Sequence, residues 1–529
     1  MSQEGIYLRR ASGLTRKISV FDALVYAAAG PGPVFAFLYI LWGPGLYPGA
    51  DMRYATLTLV LLLPIMAVYY LFSVSMPRSG GEYVYVSRIL HPSLGLFANW
   101  SLTIIGISWT GELTSWLVTY GIGPLIYNTG VLNGDQGLMS IGVQLNNPAY
   151  MPGWLIGVGL IALTYLILWR GAKPAMRVFW IGIAVSIVGL IAILTASLSS
   201  TQAFFIDRLQ QSAGVAYQSQ ILQPAMTMGF TPALFAAFAT VMAGATYINL
   251  SILGNTYTTN IAGEIKNVGK AQPLALFGSL AFFLLWWGSF TWVMWINPGG
   301  NFWNAISILV NAGQNPLPMV PVANQLVVYM TTNAVLVHLA NIGFIFGTFA
   351  AMVGLSLGPI RSLFAWSFDR MLPEAFSKVD KRGSPYVAVA LAAVLGFMFY
   401  VLYAFTTFLS FILFTITLWF AAWTVLGIAA IVFPYVKQDI FDKSPSVVKM
   451  RVAGVPVISI CGLLTTIVSV FTVYFTTVPA ITGLTSLGNL ASSVILLAAL
   501  PFILYFAARG YRQRKGINMA LQYKSLPPD

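Results

Sequence analysis

Residues 230–273, FTPALFAAFATVMAGATYINLSILGNTYTTNIAGEIKNVGKAQP, decide how the chain is read. The stretch opens as an apolar helix long enough to cross a bilayer. It loses helical character at Ile248-Asn249-Leu250-Ser251-Ile252-Leu253-Gly254-Asn255-Thr256. It ends in the polar run Ala262-Gly263-Glu264-Ile265-Lys266-Asn267. A membrane helix that breaks midway leaves N–H and C=O groups that hydrocarbon cannot satisfy. Such a break is tolerated only where protein, water or a ligand meets it. It is therefore the first candidate binding site.

The composition supplies the membrane. Of 529 residues, 58% are hydrophobic and 8% charged, where a soluble domain carries roughly 25% charged residues. A span needs about 20 apolar residues. Twelve segments qualify, near residues 20–42, 55–75, 94–122, 152–169, 176–198, 230–258, 272–296, 327–358, 386–406, 409–434, 455–477 and 488–508. The expected fold is an all-α membrane protein of twelve helices, the ninth and tenth forming a tight hairpin.

The net charge of +13 lies in short loops between spans, so it reads as membrane topology and not as nucleic-acid binding. With the N-terminus inside, 25 of the 27 Lys and Arg residues fall on the cytoplasmic side, and only Arg53 and Arg208 fall outside. This bias predicts a multi-pass protein of the plasma membrane with both termini cytoplasmic. The first residues carry no cleavable signal pattern. The lone Cys461 excludes an internal disulfide. No loop has room for a soluble catalytic domain. No Walker-type phosphate loop supports an ATP-driven pump, and no His/Cys cluster calls for a metal or cofactor. The long segments 123–151 and 297–325, rich in Gly, Asn and Pro, have room for short helices, one of them over residues 305–310.

A second break stands in the first span, at Ala27-Ala28-Ala29-Gly30-Pro31-Gly32-Pro33. Each proline removes a backbone donor, and the glycines let the chain leave helical geometry at little cost. Spans one and six are equivalent if spans one to five (20–198) and six to ten (230–434) are inverted repeats, with 455–508 added. Residues 1–19 and 509–529 are then cytoplasmic ends. Paired interrupted helices point to the site of a secondary transporter. Half-helix N-termini suit a carboxylate, and half-helix C-termini offer carbonyls to an ammonium group or a cation.

Three motifs carry a family resemblance. Pro77-Arg78-Ser79-Gly80-Gly81-Glu82-Tyr83-Val84-Tyr85 follows span two, with Pro92-Ser93-Leu94-Gly95 behind it. Ala262-Gly263-Glu264-Ile265-Lys266-Asn267 follows span six. Arg361, Ala365 and Asp369-Arg370-Met371-Leu372-Pro373 end span eight. Together they resemble the signature of the amino acid–polyamine–organocation transporters, over residues 17–510. The resemblance implies the five-plus-five inverted-repeat fold and secondary active transport of an amino acid or related amine by alternating access, as a monomer or homodimer and not as an enzyme. A substrate sensor on the same fold is the alternative.

The resemblance also implies positions for the substrate. In span one these are Ala29, Gly30, Pro31 and Gly32, where Pro31 and Pro33 cannot donate. In span six they are Leu250, Ile252, Leu253, Gly254 and Asn255. Leu250 stands where the family often has an aromatic gate, with Tyr247 nearby. Thr110 in span three and Leu355 in span eight complete the set. The three leucines favour an apolar substrate side chain.

Among titratable residues, Glu112 is the one acid well inside a span, either a proton carrier or cation ligand, or a structural carboxyl. Ser186 corresponds to a lysine that serves proton coupling in some relatives. Its hydroxyl either joins a sodium site with carbonyls of spans one and eight or bonds its own helix. The coupling ion is H+ or Na+. Asp22 is expected to cap span one, and His338 to lie far outside the site. The Gly343-x-x-x-Gly347 and Gly354-x-x-x-Gly358 spacings read as close-packing faces.

Overall fold

The computed structural model describes residue 14, residues 16–406, 412–477 and 498–524, and residue 526, with no side-chain account of 412–415. Among them, nine helices are long and apolar enough to cross a membrane. The third expected span is helical over Pro92–Trp116 but is not one of the nine. It carries Asn99, Ser101, Thr103, Thr110 and Glu112, all buried against other helices. The turn between the ninth and tenth spans, and the first part of the twelfth, lie outside the described residues.

Local chemistry sets the ends of the helices. Ser19 and Asp22 form a reciprocal capping box on Val20–Ala29, the role expected of Asp22, whose carboxylate also accepts from the Trp180 indole at 2.9 Å. His91 caps Pro92–Trp116, with proline in the first turn. Asn333 caps the 35-residue helix Ala334–Phe368. That helix replaces the expected span 327–358. The preceding residues fold instead as a separate short helix, Ala323–Met330. Residues 305–310 are helical as expected, within Gly300–Asn311.

The sixth span departs most from the reading of its sequence. Its membrane-length helix is not there. Residues before 237 are turn and coil, with Ala233 at positive φ, and the helix comprises Ala237–Ala243 and a π-helical turn Gly244–Ile248. Beyond the break the chain does not resume an α-helix. It continues in 3-10 turns, Asn255–Thr258 and Ala262–Glu264. The Thr/Asn composition explains this. Thr258 Oγ1 donates to the Asn255 carbonyl at 3.1 Å and Thr259 Oγ1 to that of Thr256 at 2.8 Å. Such side chains compete with the helix for its backbone.

Small residues bring the helices together. Ala172–Leu198 packs along Ala334–Phe368, and a Cβ on Gly189 would stand 2.7 Å from Gly343 Cα. One built on Gly347 would meet Ser186 Oγ at 2.5 Å, and one on Gly354 would meet Gly30 Cα at 2.5 Å. Both glycine spacings are thus close-packing faces. The outer faces are apolar: Ile181, Ile191, Leu155 and Ile467 are all more than half exposed. In water such a surface would aggregate, and in a bilayer it meets lipid. Replacing Gly189 by Leu should overpack the interface between spans five and eight and cost on the order of 2 kcal/mol. Ile187→Leu on an exposed face should stay within about 0.5 kcal/mol. Thermal unfolding of both variants in detergent checks the difference.

Candidate functional site: two broken helices between a sealed end and an open one

The two breaks meet at one level of the bundle. Val20–Ala29 ends at Gly30, Gly32 takes φ +82°, and the chain restarts through the 3-10 turn Pro33–Phe35 into Ala36–Leu46. Opposite it, Gly254 takes φ +109°, a conformation that costs other residues about 1–2 kcal/mol. A Cβ on Gly254 would lie 2.8 Å from Leu355 Cδ2 and 3.7 Å from Pro31 N. Tyr26 in span one donates its hydroxyl to the Gly354 carbonyl at 3.1 Å. The carbonyl of Ile252 accepts from Asn255 N–H at 3.1 Å, whereas that of Leu253 meets no donor among the described residues.

Between the breaks lies a cavity of about 10 Å³ lined by Pro31, Phe35, Tyr39, Trp109, Leu250, Leu253, Leu355 and Trp419. It has room for one water at most, so the socket is contracted. Of the positions read from sequence, it gathers Pro31, Leu250, Leu253 and Leu355; Ala29, Gly30, Gly32 and Gly254 are buried but do not line it. Four others point elsewhere. Thr110 bonds Ser356 Oγ at 2.7 Å and the Gly106 carbonyl at 3.1 Å. Asn255 donates toward Met66 Sδ and Ser279 Oγ, at 3.1 and 3.3 Å. Ile252 is buried outside the cavity. Ser186 Oγ donates to the Gly343 carbonyl at 3.3 Å, on the seam that spans five and eight share with Val34 of span one. His338 stands apart, its ring nitrogens 3.1 Å from Thr129 Oγ1 and 2.7 Å from the Ala334 carbonyl.

Sequence reasoning missed the aromatic residues. Phe35, Tyr39 and Trp42 recur at helical spacing, a visible stripe that the glycines and prolines beside it overshadowed. Trp109 is one residue from Thr110, and a shift of one residue turns a helical side chain by about 100°. No motif fixes the register of span ten, so nothing pointed to Trp419. The rings that enclose the socket come from spans one, three and ten, while the span-six position where the family often has an aromatic gate is Leu250, as read from the sequence.

A larger cavity, about 300 Å³, adjoins the socket and shares its Tyr39, Trp109 and Leu250 wall. Glu112 lines it, as does Tyr247. It lies away from the end where the three sequence motifs meet. At that end Arg361 holds Glu264 through Nε at 2.5 Å, and Arg88 grips Asp369 through two bonds of 2.7 and 2.8 Å. Both pairs are buried. The glycines of the first motif let the chain pack tightly there. A Cβ on Gly80 would meet Ala365 at 2.7 Å, and one on Gly81 would meet Asn260 Oδ1 at 2.5 Å. Gly80 N–H donates to the Asn260 carbonyl at 3.1 Å. Ile18 joins the seal by exchanging backbone bonds with Glu264 and Lys266.

These observations fit the outcome of sequence comparison. The amino acid permease family model matches residues 47–504. The chain belongs to the amino acid permease family. Its relatives include the branched-chain amino acid permease BcaP of Bacillus subtilis (strain 168), 24% identical over 72% of this chain and 75% of that protein. A second is the branched-chain amino acid permease BcaP of Lactococcus lactis subsp. cremoris (strain MG1363), 24% identical over 70% and 69%. The permease family is one of multi-pass membrane transporters and not of enzymes.

Among the described residues, Glu82 of this permease has no cation beside it in the sealed end. It accepts from Asn99 Nδ2 and from the Tyr69 hydroxyl, and burial pushes its carboxyl up from 4.5 to about 7 against those hydrogen bonds. The folded state therefore holds a proton that the unfolded chain releases near pH 4.5. This contribution to stability is fully present below that pH and is lost as pH rises through about 7. Across this window the wild-type protein should lose on the order of 3 kcal/mol relative to Glu82→Gln. Melting temperatures of the two proteins from pH 4.5 to 8 measure the difference.

Proposed function

We propose that the protein is a secondary active transporter that moves amino acids with apolar, branched side chains across the plasma membrane by alternating access. The observation that carries this reading is the meeting of Gly30-Pro31-Gly32 with Leu253-Gly254 in a socket walled by Leu250, Leu253, Leu355 and aromatic rings. Open backbone offers polar groups to the ammonium and carboxylate, and the apolar wall accepts an aliphatic side chain. The substrate named for both relatives agrees with that wall.

Orientation follows from the distribution of basic residues, which puts the sealed end and both termini in the cytoplasm. The large cavity then faces outward, and the conformation is closed inward with a contracted socket. Transport requires parting Arg361 from Glu264 and Arg88 from Asp369 on the inner side. Coupling to H+ or Na+ rests with Glu112 or Ser186. Accumulation that collapses with the pH gradient and in Glu112→Gln identifies H+. Accumulation that needs Na+ and is lost in Ser186→Ala identifies Na+.

Uptake of labelled leucine into liposomes holding the purified protein tests the reading. Saturable accumulation is expected, with competition by isoleucine and valine and little by lysine. Binding without flux would leave a sensor in its place. Gly254→Ala should lower uptake about tenfold or more, because it places a Cβ against Leu355 in a conformation that disfavours it.

A further inference from the structure

The large cavity has a composition that the socket does not explain. Span three presents Trp109, Glu112 and Trp116 to it, at helical spacings of three and four residues. Span one presents Tyr39 and Trp42, and span six presents Tyr247. The rings form one cluster. Trp116 lies 5.1 Å from Trp42 and 5.6 Å from Trp109, and Tyr39 lies 6.0 Å from Trp42 and 5.6 Å from Tyr247, centroid to centroid. Glu112 is 3% exposed. Its carboxylate makes no hydrogen bond or ion pair among the described residues, and no basic side chain lines the cavity. A buried acid with no partner among the described residues, facing a cavity walled by five aromatic rings, is half of a recognition site.

We propose that Glu112 and the rings of Tyr39, Trp42, Trp109, Trp116 and Tyr247 form a second, outer binding site for an organic ammonium group carrying an apolar tail. The carboxylate supplies the counter-charge. The ring faces attract a cation, most strongly in a desolvated place, and tryptophan is the best of them. Leu41, Leu46 and Val310 in the same cavity accept the tail. The site stands on this geometry. It builds on the transport reading in one respect only: the shared wall of Tyr39, Trp109 and Leu250 puts an ammonium held here one barrier away from the socket. Two sources supply the chemistry, a free alkylamine or the α-ammonium of an amino acid on its way in.

Titrating the full-length protein in lipid nanodiscs with 3-methylbutylamine, while following tryptophan emission, tests the site. The amine should give a saturable change. Its affinity should fall about tenfold or more in Glu112→Gln, the loss of a hydrogen-bonded charge, and several-fold in Trp42→Leu, while both variants keep the wild-type melting temperature. 3-Methylbutanoate, with the same tail and a carboxylate, should give no saturable change. Competition by leucine would identify the amino acid as an occupant, and its absence would leave free amines as the ligands; either result supports the site. No saturable response to the amine, an unchanged affinity in Glu112→Gln, or an equal response to 3-methylbutanoate would overturn it. Amine binding in a protein that takes up no amino acid would sink the transport reading and leave this one standing.

Discussion

The site depends on one close approach, that of the Gly30 backbone to Gly354. No side chain fits between them, so span one can break against span eight without leaving a void. A break elsewhere in the membrane would expose its peptide groups to hydrocarbon, at several kcal/mol each. Here the opened turn is sheltered by Tyr26, Phe179, Leu355 and the facing break of span six. The same contact holds the two breaks together. Gly254 faces Leu355, the residue after Gly354, so one turn of span eight serves both halves.

The two ends of the bundle are built on opposite electrostatic terms. At the basic end, Arg361, Glu264, Arg88 and Asp369 are buried in matched pairs. Such pairs contribute little net stability against an apolar replacement, but breaking one leaves an uncompensated charge at a cost of about 3–5 kcal/mol. They act as a latch that is strong when engaged and can be parted only where water or a rearranged partner takes over. At the other end, Glu112 is buried with no countercharge among the described residues. The asymmetry matches a molecule sealed on one side and awaiting a cation on the other.

The three sequence motifs are explained by the latch. Gly80 and Gly81 exist for contact with Ala365 and Asn260, Gly263 for contact with Ser79, and Glu264 for Arg361. Motifs scattered from Pro77 to Pro373 converge because they form one gate. Glu82 is different. It sits in the same gate beside an amide and a hydroxyl, with no cation among the described residues, so burial dominates its charge state.

By itself the sequence determined the class, an all-α membrane protein, and the family. It also located both breaks, the cap at Asp22 and the packing faces of span eight. Hydropathy, glycine and proline act over a few residues, so their effects are legible locally. It read too much helix into residues 230–236, which are turn and coil, because apolar composition alone looks the same in a window of sequence whether or not the chain is helical. Only the tertiary structure decided which side chains share a cavity. Thr110 was two residues from Glu112 and one from Trp109, yet it faces Ser356 while they face open space. On a helix each residue turns the side chain by about 100°, so register, which is fixed by packing against other helices, separates a lining residue from a buried neighbour. The aromatic wall, and the carboxylate of Glu112 facing it, appear only once spans one, three, six and ten are brought together.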